Sequence, residues 1–401
     1  MSAQHNNPTS PLSVYASLGQ TLTHYDLQRD TAALIPRTSL ALPYKVQYVW
    51  PHPAAPYLYA ACSNGSPEAG GDAHCIVALR RDPATGALTI HGAIHGAPVA
   101  LPSRPVHMTV DGAGKHALVA YNHPSHLTVH RLERDGTVGG MVQQRAAFDA
   151  GIYAHQVRVA LSNKAVILVT RGNKATDAKP EEPGALKVFA YDSDSGQLTP
   201  SVSVAPNKGF GFGPRHMDFH PREPWIYVSL ELQNLMHMYR ANPEGDQVEA
   251  APAYVKELLA DVPGVKPRQR SGTIHVHPNG KFVYVANRAS GVAKGDGQDV
   301  YIGGENNIAV FKIDPVSGEP TLIQHADTRG VVARTFALDN SGRFLIAANS
   351  QPIIARVGND LVTVPASLAV FRVGDDGKLD YVSKLDVDAS VAPMFWMGIV
   401  G

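Results

Sequence analysis

The sequence predicts an all-β fold: one seven-bladed β-propeller with four antiparallel strands in each blade. Three observations lead to this prediction. A strand–turn–strand pattern recurs along the chain with a period of about 50 residues, which is typical of propeller blades and unlike a doubly wound sheet. Each copy is followed by a further strand and turn. The two ends of the chain supply complementary parts of one more copy.

The first element of the repeat is a turn rich in Gly, Asn or Pro between two strands, which is the signature of a β-hairpin. One copy reads VHPNGKFVYVA and another reads FHPREPWIYVS. The six copies begin at Pro51, Val110, Val159, Phe219, Val276 and Leu338. Later turns such as DPATG, DSDSG and DPVSG each follow a further short strand. Each repeat therefore contains about four strands, as a blade requires.

The seventh blade is predicted from the two ends of the chain. Residues 11–28 resemble a second and a third strand with no first strand, whereas residues 392–400 resemble a first strand with nothing after it. Joining them closes a ring of seven and removes the exposed sheet edges. We therefore expect one domain over residues 1–401, with residues 1–10 as a flexible tail. Residues 253–262 have helical apolar spacing and are predicted to form a surface helix.

Composition narrows the range of partners and locations. The 35 basic residues balance the 35 acidic ones, so the net charge gives no support to nucleic-acid binding. The sequence shows neither a signal-peptide pattern nor an apolar run approaching about 18 residues, which predicts a cytoplasmic protein without a membrane partner. Cys62 and Cys75 are too few for a disulfide framework; they flank one loop, so we expect them to lie close together and to be reduced. The oligomeric state stays open.

Two positions of the repeat carry the candidate site chemistry. Because a hairpin separates them by 16 residues in every copy, both fall at the same rim of the propeller. The first position holds Gln47, Val106, His155, Arg215, Gly272 and Arg334. The second position holds Ser63, Asn122, Arg171, Glu231, Arg288 and Ser350. Long links at residues 64–74, 172–185, 289–306 and 351–367 are predicted to gather over this rim, where function usually lies.

The polar residues of this rim suit an anionic substrate. Arginine binds carboxylate or phosphate through a bidentate fork, and a glutamate among arginines is expected to stay ionised. A ring of structural ion pairs between blades is the alternative. No metal site or cofactor is predicted, because the sequence has no HExxH motif and no histidine pair beside clustered acids. A Gly-x-Ser-x-Gly elbow is also absent, which disfavours a serine hydrolase.

Three segments carry a family resemblance: YAHQVRV at residues 153–159, GPRHMDFHPREPWIYVSLELQN at 213–234 and RSGTIHVHPNGKFVYVANR at 270–288. They resemble the propeller lactonase family, which includes bacterial 6-phosphogluconolactonases and fungal 3-carboxy-cis,cis-muconate lactonising enzymes. The resemblance covers nearly the whole chain and implies four catalytic residues: His155, Arg215, Glu231 and Arg288. We expect four further residues to bind substrate: Arg171, Arg334, His216 and Asn122. Insertions at residues 291–305 and 353–365 are expected to lie over the site and reshape the pocket.

Hydrolysis of an anionic lactone, similar to 6-phosphogluconolactone, is the leading hypothesis. Glu231 or His155 would activate water, while Arg215 and Arg288 would hold the anionic group and stabilise the oxyanion. A cycloisomerase that closes a carboxymuconate to a lactone needs the same groups and is the alternative enzyme. A propeller that binds a ligand without turnover is the alternative from another class.

Overall fold

A computed structural model describes residues 10–66, 69–92, 98–295 and 297–400. These residues form seven antiparallel sheets, each with four strands in radial order. The innermost strands contact one another in a closed cycle, which places the sheets as blades around a central channel. The predicted propeller is thereby confirmed. The predicted tail lies outside the described residues except for Ser10.

From the axis outwards, the strands of the first four blades are as follows. The first blade comprises β33 (Met394–Val400), β1 (Leu12–Leu18), β2 (Thr21–Leu27) and β3 (Leu34–Ala41). The second comprises β4 (Lys45–Pro51), β5 (Tyr57–Ser63), β6 (His74–Arg81) and β7 (Leu88–Ile90), with β8 (Val99–Ala100) also paired to β6. The third comprises β9 (Pro105–Val110), β10 (His116–Asn122), β11 (Ser125–Leu132) and β12 (Val138–Met141). The fourth comprises β13 (Ala154–Val159), β14 (Ala165–Thr170), β15 (Ala185–Asp192) and β16 (Gln197–Val204).

The remaining blades carry the long insertions. The fifth comprises β17 (Pro214–Phe219), β18 (Trp225–Leu230), β19 (Leu235–Arg240) and β20 (Tyr254–Glu257). The sixth comprises β21 (Gln269–Val276), β22 (Phe282–Ala289), β25 (Asn307–Ile313) and β26 (Pro320–Asp327), with the hairpin β23 (Val292–Gly295) and β24 (Gln298–Tyr301). The seventh comprises β27 (Ala333–Leu338), β28 (Phe344–Asn349), β31 (Ala366–Val373) and β32 (Leu379–Val387), with the hairpin β29 (Ile353–Val357) and β30 (Asp360–Val364). A 3₁₀ turn spans Pro206–Gly209.

The structure bears on three predictions: the blade shared by the two ends of the chain, the helix at residues 253–262, and the proximity of Cys62 and Cys75. Strand β33 pairs with β1, so the two ends of the chain share one blade as predicted. The predicted helix at residues 253–262 is wrong, because β20 occupies this segment as the outermost strand of the fifth blade. Hydrogen bonding to β19 completes that blade and overrides the local helical spacing. Cys62 and Cys75 lie directly opposite each other on β5 and β6, as expected, and both are free cysteines.

Apolar side chains fill the spaces between blades. Strand β14 is buried along its whole length, which explains its unbroken apolar sequence AVILVT. Neighbouring blades are also joined by a repeated hydrogen bond, in which a tyrosine hydroxyl on a second strand donates to a glycine carbonyl in the next blade. Four such bonds join Tyr15 to Gly86, Tyr59 to Gly136, Tyr227 to Gly318 and Tyr284 to Gly377. These bonds relate equivalent positions of different blades.

Every innermost strand contains a β-bulge near one end. The paired residues skip one position on each of five innermost strands: Gln47, Val106, His155, Arg215 and Arg334. On β21, Gly272 and Thr273 lie opposite a single residue of β22. Two residues of β33 likewise lie opposite a single residue of β1. A bulge redirects the side chain of the extra residue. The first rim position predicted from the repeat is therefore the bulge of each blade.

Candidate active site

Glu231 is the centre of a buried ion cluster at the bulged end of the channel. It directly follows β18, and only 2% of its surface is exposed. Arg288 Nη2 lies 2.5 Å from its Oε1 atom, and Arg171 Nη1 lies 2.8 Å from its Oε2 atom. Arg215 Nε lies 3.3 Å from Oε1, and Arg270 Nη1 lies 3.8 Å from the same oxygen. Arginines from the fourth, fifth and sixth blades thus converge on one carboxylate.

The arginines determine the protonation state of Glu231. Burial alone would raise the pKa of its carboxyl group, but Arg288, Arg215 and Arg171 together hold that pKa well below its ordinary value. The carboxylate therefore stays ionised at neutral pH, as expected from the sequence. Both of its oxygens are engaged by arginines and only 2% of its surface is exposed, so a water molecule has little access to this carboxylate as a base. The geometry of Glu231 instead suits a role in holding the surrounding arginines in position.

His155 is the better candidate base. It is 9% exposed, and burial together with the positive charge of Arg215 holds the pKa of its imidazole well below the usual value. The ring is therefore neutral at pH 7 and can accept a proton. Its Nδ1 atom is buried and has no hydrogen-bond partner among the described residues. The ring centroid of His216, the residue after the Arg215 bulge, lies 5.2 Å away.

Arg215 and Arg288 present buried donors without protein acceptors. Arg215 is 2% exposed; its Nη1 atom makes no hydrogen bond within the described part of the chain, and its Nε atom has the 3.3 Å ion-pair contact with Glu231. Arg288 Nε likewise makes no hydrogen bond within that part of the chain. Buried polar atoms are nearly always hydrogen-bonded, so such donors call for an explanation. Such donors can form hydrogen bonds to an anionic group of a substrate or to the oxyanion that develops during a reaction.

A second group of cations lies elsewhere around the same mouth. Arg334 Nε donates to the Phe395 carbonyl at 3.2 Å, and its guanidinium lies 3.8 Å from the Phe395 ring centroid. Burial, with repulsion from Arg288, lowers the pKa of Arg334 to about 9. Arg104 donates to Gln47 Oε1 at 2.9 Å and to Asn122 Oδ1 at 3.3 Å. Asn122, predicted to bind substrate, therefore positions an arginine.

Arg104 and Arg270 also lie at the mouth but were not predicted from the repeat. Each lies two residues before a first position that carries no polar side chain, at Val106 and Gly272 respectively. An arginine upstream of an apolar or glycine bulge position was the available signal. Of the predicted residues, Arg171, Arg215 and Arg288 all contact Glu231.

Aromatic and charged side chains plug the channel below the mouth. The rings of His107 and His216, from the third and fifth blades, lie 5.9 Å apart. Further down, the guanidinium of Arg158 lies 5.2 Å from the Trp50 ring centroid and 2.9 Å from the carboxylate of Asp218. Contacts between blades that are not neighbours span the channel. We call the part of the channel between this plug and the mouth, with the residues around Glu231, the cup.

The predicted insertions of the sixth and seventh blades form the two hairpins β23–β24 and β29–β30. The hairpins pack against each other, because β24 contacts β29. Asn306 Oδ1 accepts hydrogen bonds from the backbone of Ala289 and Val332, next to Arg288 and close to Arg334. The base of the first hairpin is thus joined to the segment just before β27, beside the mouth. Their effect on the pocket stays a prediction.

The described residues also bear on metal binding and on membrane spanning. Within the described ranges, no group of three or more His, Cys, Asp or Glu side chains is placed to hold a metal ion. No helix in those ranges is long and apolar enough to cross a membrane. The prediction that the reaction needs no cofactor rests on the chemistry of the residues at the mouth.

Comparison with known proteins identifies the family. The family model described as "Lactonase, 7-bladed beta-propeller" matches residues 12–353. A 6-phosphogluconolactonase of Bacillus subtilis is 29% identical over 281 residues, which cover 69% of this chain and 70% of the relative. A 6-phosphogluconolactonase of Photorhabdus laumondii is 27% identical over 251 residues, and the match covers 63% of this chain and 65% of that enzyme.

Solved structures show the same fold. The periplasmic gluconolactonase of Pseudomonas aeruginosa superposes with a TM-score of 0.72 at 18% identity, over 98% of this chain and 99% of the other. A Lactobacillus plantarum protein gives a TM-score of 0.66 at 20% identity, over 98% and 100%. At these identities the likeness concerns the fold alone. The family model and the four-stranded blades agree, and the chain belongs to the seven-bladed β-propeller lactonase family.

Proposed function

We propose that this protein hydrolyses a lactone that carries a separate anionic group, and that His155, Arg215, Glu231 and Arg288 catalyse the reaction. One observation carries the proposal. Arg215 Nη1 and Arg288 Nε are buried N–H donors without a hydrogen bond among the described residues, and they lie at the same mouth as the neutral imidazole of His155. This combination supplies a base and an oxyanion site, which are the two things that ester hydrolysis needs.

The charge of the mouth supports an anionic substrate. Five arginines of the described chain lie around Glu231 or near it: Arg171, Arg215, Arg270, Arg288 and Arg334. One carboxylate among the described residues balances only part of their charge, and buried positive charge is costly. Arg334 suits the remote anionic group, whereas Arg215 and Arg288 suit the carbonyl. Because curated relatives are named 6-phosphogluconolactonase, 6-phosphogluconolactone is the substrate to test first.

In the proposed mechanism, His155 accepts a proton from a water molecule whose oxygen attacks the lactone carbonyl. The carbonyl π electrons move to its oxygen, and the resulting oxyanion receives hydrogen bonds from Arg215 and Arg288. Collapse of this intermediate breaks the bond to the ring oxygen, which takes the proton from the His155 imidazolium. The product is a hydroxy acid. Glu231 holds the arginines in place and stabilises the transient positive charge on His155.

A panel assay tests the proposal. The purified protein is given 6-phosphogluconolactone, glucono-1,5-lactone and 3-carboxy-cis,cis-muconate, with proton release and loss of diene absorbance followed after subtraction of spontaneous hydrolysis. We expect hydrolysis of the phosphorylated lactone at a lower KM than that of its neutral analogue. Loss of the diene without lactone hydrolysis would indicate the cycloisomerase instead, and binding without turnover would indicate a binding module. A cytoplasmic location stays a prediction.

Lys256→Ala serves as the control variant in this assay. Lys256 forms an exposed ion pair with Glu319 between the fifth and sixth blades, away from the cup. We expect its kinetics to match those of the unmodified protein. Arg215→Ala removes one oxyanion donor and is expected to lower the rate by about 10²–10³. Equal rates in the two variants would contradict the assigned role of Arg215.

A further inference from the structure

A groove of about 930 Å³ lies where the first and second blades meet. It is lined by Ser13 at the start of β1, Val400 at the end of β33 and Arg81 at the end of β6. The cup lies at the other ends of these strands, where Leu18, Met394 and His74 lie. The groove is therefore on the opposite face of the propeller and shares no residue with the candidate active site.

The joint at this groove differs from the equivalent joints between other blades. At three other joints an aromatic ring, two residues before the inter-blade tyrosine, packs against the glycine of the next blade. These pairs are Tyr57 with Gly136, Trp225 with Gly318, and Phe282 with Gly377. At the first joint the equivalent position is Ser13, whose hydroxyl faces Gly86. The ring that packs against Gly86 here is instead the imidazole of His24, so Ser13 and His24 together replace the large aromatic ring of the other joints by polar groups.

A second departure at the same joint is His24. It lies opposite Tyr15, at the position that Ala78, Met238 and Val310 occupy opposite the tyrosines of the second, fifth and sixth blades. His24 is 2% exposed; its Nε2 atom lies 3.4 Å from Asp26 Oδ1, and its Nδ1 atom has no hydrogen-bond partner among the described residues. A buried polar atom without a hydrogen bond destabilises a fold where an apolar residue would not. His24 therefore makes the wall of the groove polar where the equivalent joints are apolar.

The charge of the groove indicates which kind of ligand it suits. Arg29, Arg37 and Arg81 line it together with one acidic residue of the lining, Asp26, which pairs with Arg37 Nε at 2.7 Å. Arg81 donates to Ser13 Oγ at 3.0 Å and to the Tyr15 hydroxyl at 3.2 Å, which fixes its guanidinium at the wall. Burial lowers the pKa of His24, so its neutral ring can offer one donor and one acceptor.

We propose that this groove binds an organic phosphate, whose phosphoryl oxygens contact the arginines and whose polar body lies against the wall formed by Ser13 and His24. Arginine forks match phosphate geometry, and the volume falls within the range of small-molecule sites. The site is separate from the lactonase cup, and its existence does not depend on the reaction proposed there. A ligand here joins the first blade to the second and stabilises the folded ring by mass action.

Binding of two probes, pyrophosphate and AMP, tests the proposal by calorimetry and thermal shift. The key variant is Ser13→Phe/His24→Met, which restores the residue types of the equivalent joints. We expect it to melt at or above the temperature of the unmodified protein and to keep its lactonase activity, while groove affinity falls at least tenfold. Arg288→Ala, in the cup, should lose activity and keep groove binding.

Several outcomes would overturn the proposal. They are equal affinity in Ser13→Phe/His24→Met, loss of binding in Arg288→Ala, and no binding of either probe at millimolar concentration. Binding that begins only after deletion of residues 1–9 would assign the groove to that segment instead. If the double variant fails to fold, Arg29→Gln/Arg37→Gln replaces it, because Arg37 is exposed, and unchanged affinity there would equally refute the proposal.

Discussion

Replacement of Glu231 by glutamine tests the structure of the cup most directly. The substitution keeps the shape of the side chain and removes the charge that three guanidinium groups approach within 3.3 Å. Breaking a buried ion pair from one side costs about 3–5 kcal/mol, because the remaining charges stay buried. Unfolding entropy of about 2.1 cal/mol/K per residue converts this into a loss of about 4–6 °C in Tm.

The same variant separates the two roles considered for Glu231. If it orients arginines, kcat should fall by about 10²–10³ while KM stays the same or falls, since the mouth becomes more positive. The carboxylate also raises the pKa of His155, whose net shift is downwards because of burial. Its removal should therefore move the acid limb of the kcat profile to lower pH.

The measurements are calorimetric melting and pH–rate profiles, with Glu319→Gln as the matched control. Glu319 pairs with Lys256 in an exposed position, so its loss should cost less than about 1 kcal/mol. A Glu231→Gln variant that melts like the control and keeps its kcat would refute the role of this carboxylate in the cluster. An unchanged Tm with complete loss of the acid limb would show that Glu231 is the base.

Three further predictions concern other parts of the molecule. Arg334→Ala should raise KM about 10- to 100-fold with little change in kcat, since a charge-assisted hydrogen bond to the substrate is lost; a change confined to kcat would contradict this. Burial lowers the pKa of His130 and of His237 to about 4, so both must gain a proton on unfolding at mildly acidic pH. The free energy of unfolding should therefore fall as pH drops below 6.5, by about 2 kcal/mol per histidine at pH 5. A Tm that stays flat between pH 7 and 5 would contradict this. Tyr227→Phe removes the hydrogen bond to Gly318 and should lower Tm by about 1–2 °C, whereas an unchanged Tm would show that the bond contributes nothing.

The blade repeat could be predicted from sequence because a hairpin is a local structure with a local signal. The residues that meet at the mouth could also be predicted, because equal spacing in each copy places Arg171 and Glu231 at the same end of their strands. The segment at residues 253–262 could not, since its state depends on pairing with β19. Local spacing carries no information about such a partner.

The detailed contacts of the cup were also beyond the sequence. Which arginine reaches Glu231 depends on the bulges, and a bulge results from the packing of seven strands around the channel. Arg104 lies outside the repeat register and was therefore missed. Ser13 and His24 are visible as departures only when blades are aligned on their inter-blade tyrosines, which required the strand pairing.

The pairing of β33 with β1 has a consequence for how the ring opens. It joins positions 379 residues apart in sequence, as the bond between Ser17 and the Trp396 carbonyl shows. Closing so long a loop costs roughly 5 kcal/mol of chain entropy, from the logarithmic dependence on length. The other blades are built from near neighbours and carry no such cost. Amide hydrogen exchange should therefore begin along this seam, and Arg334, which Phe395 holds, should lose its position before the rest of the cup does.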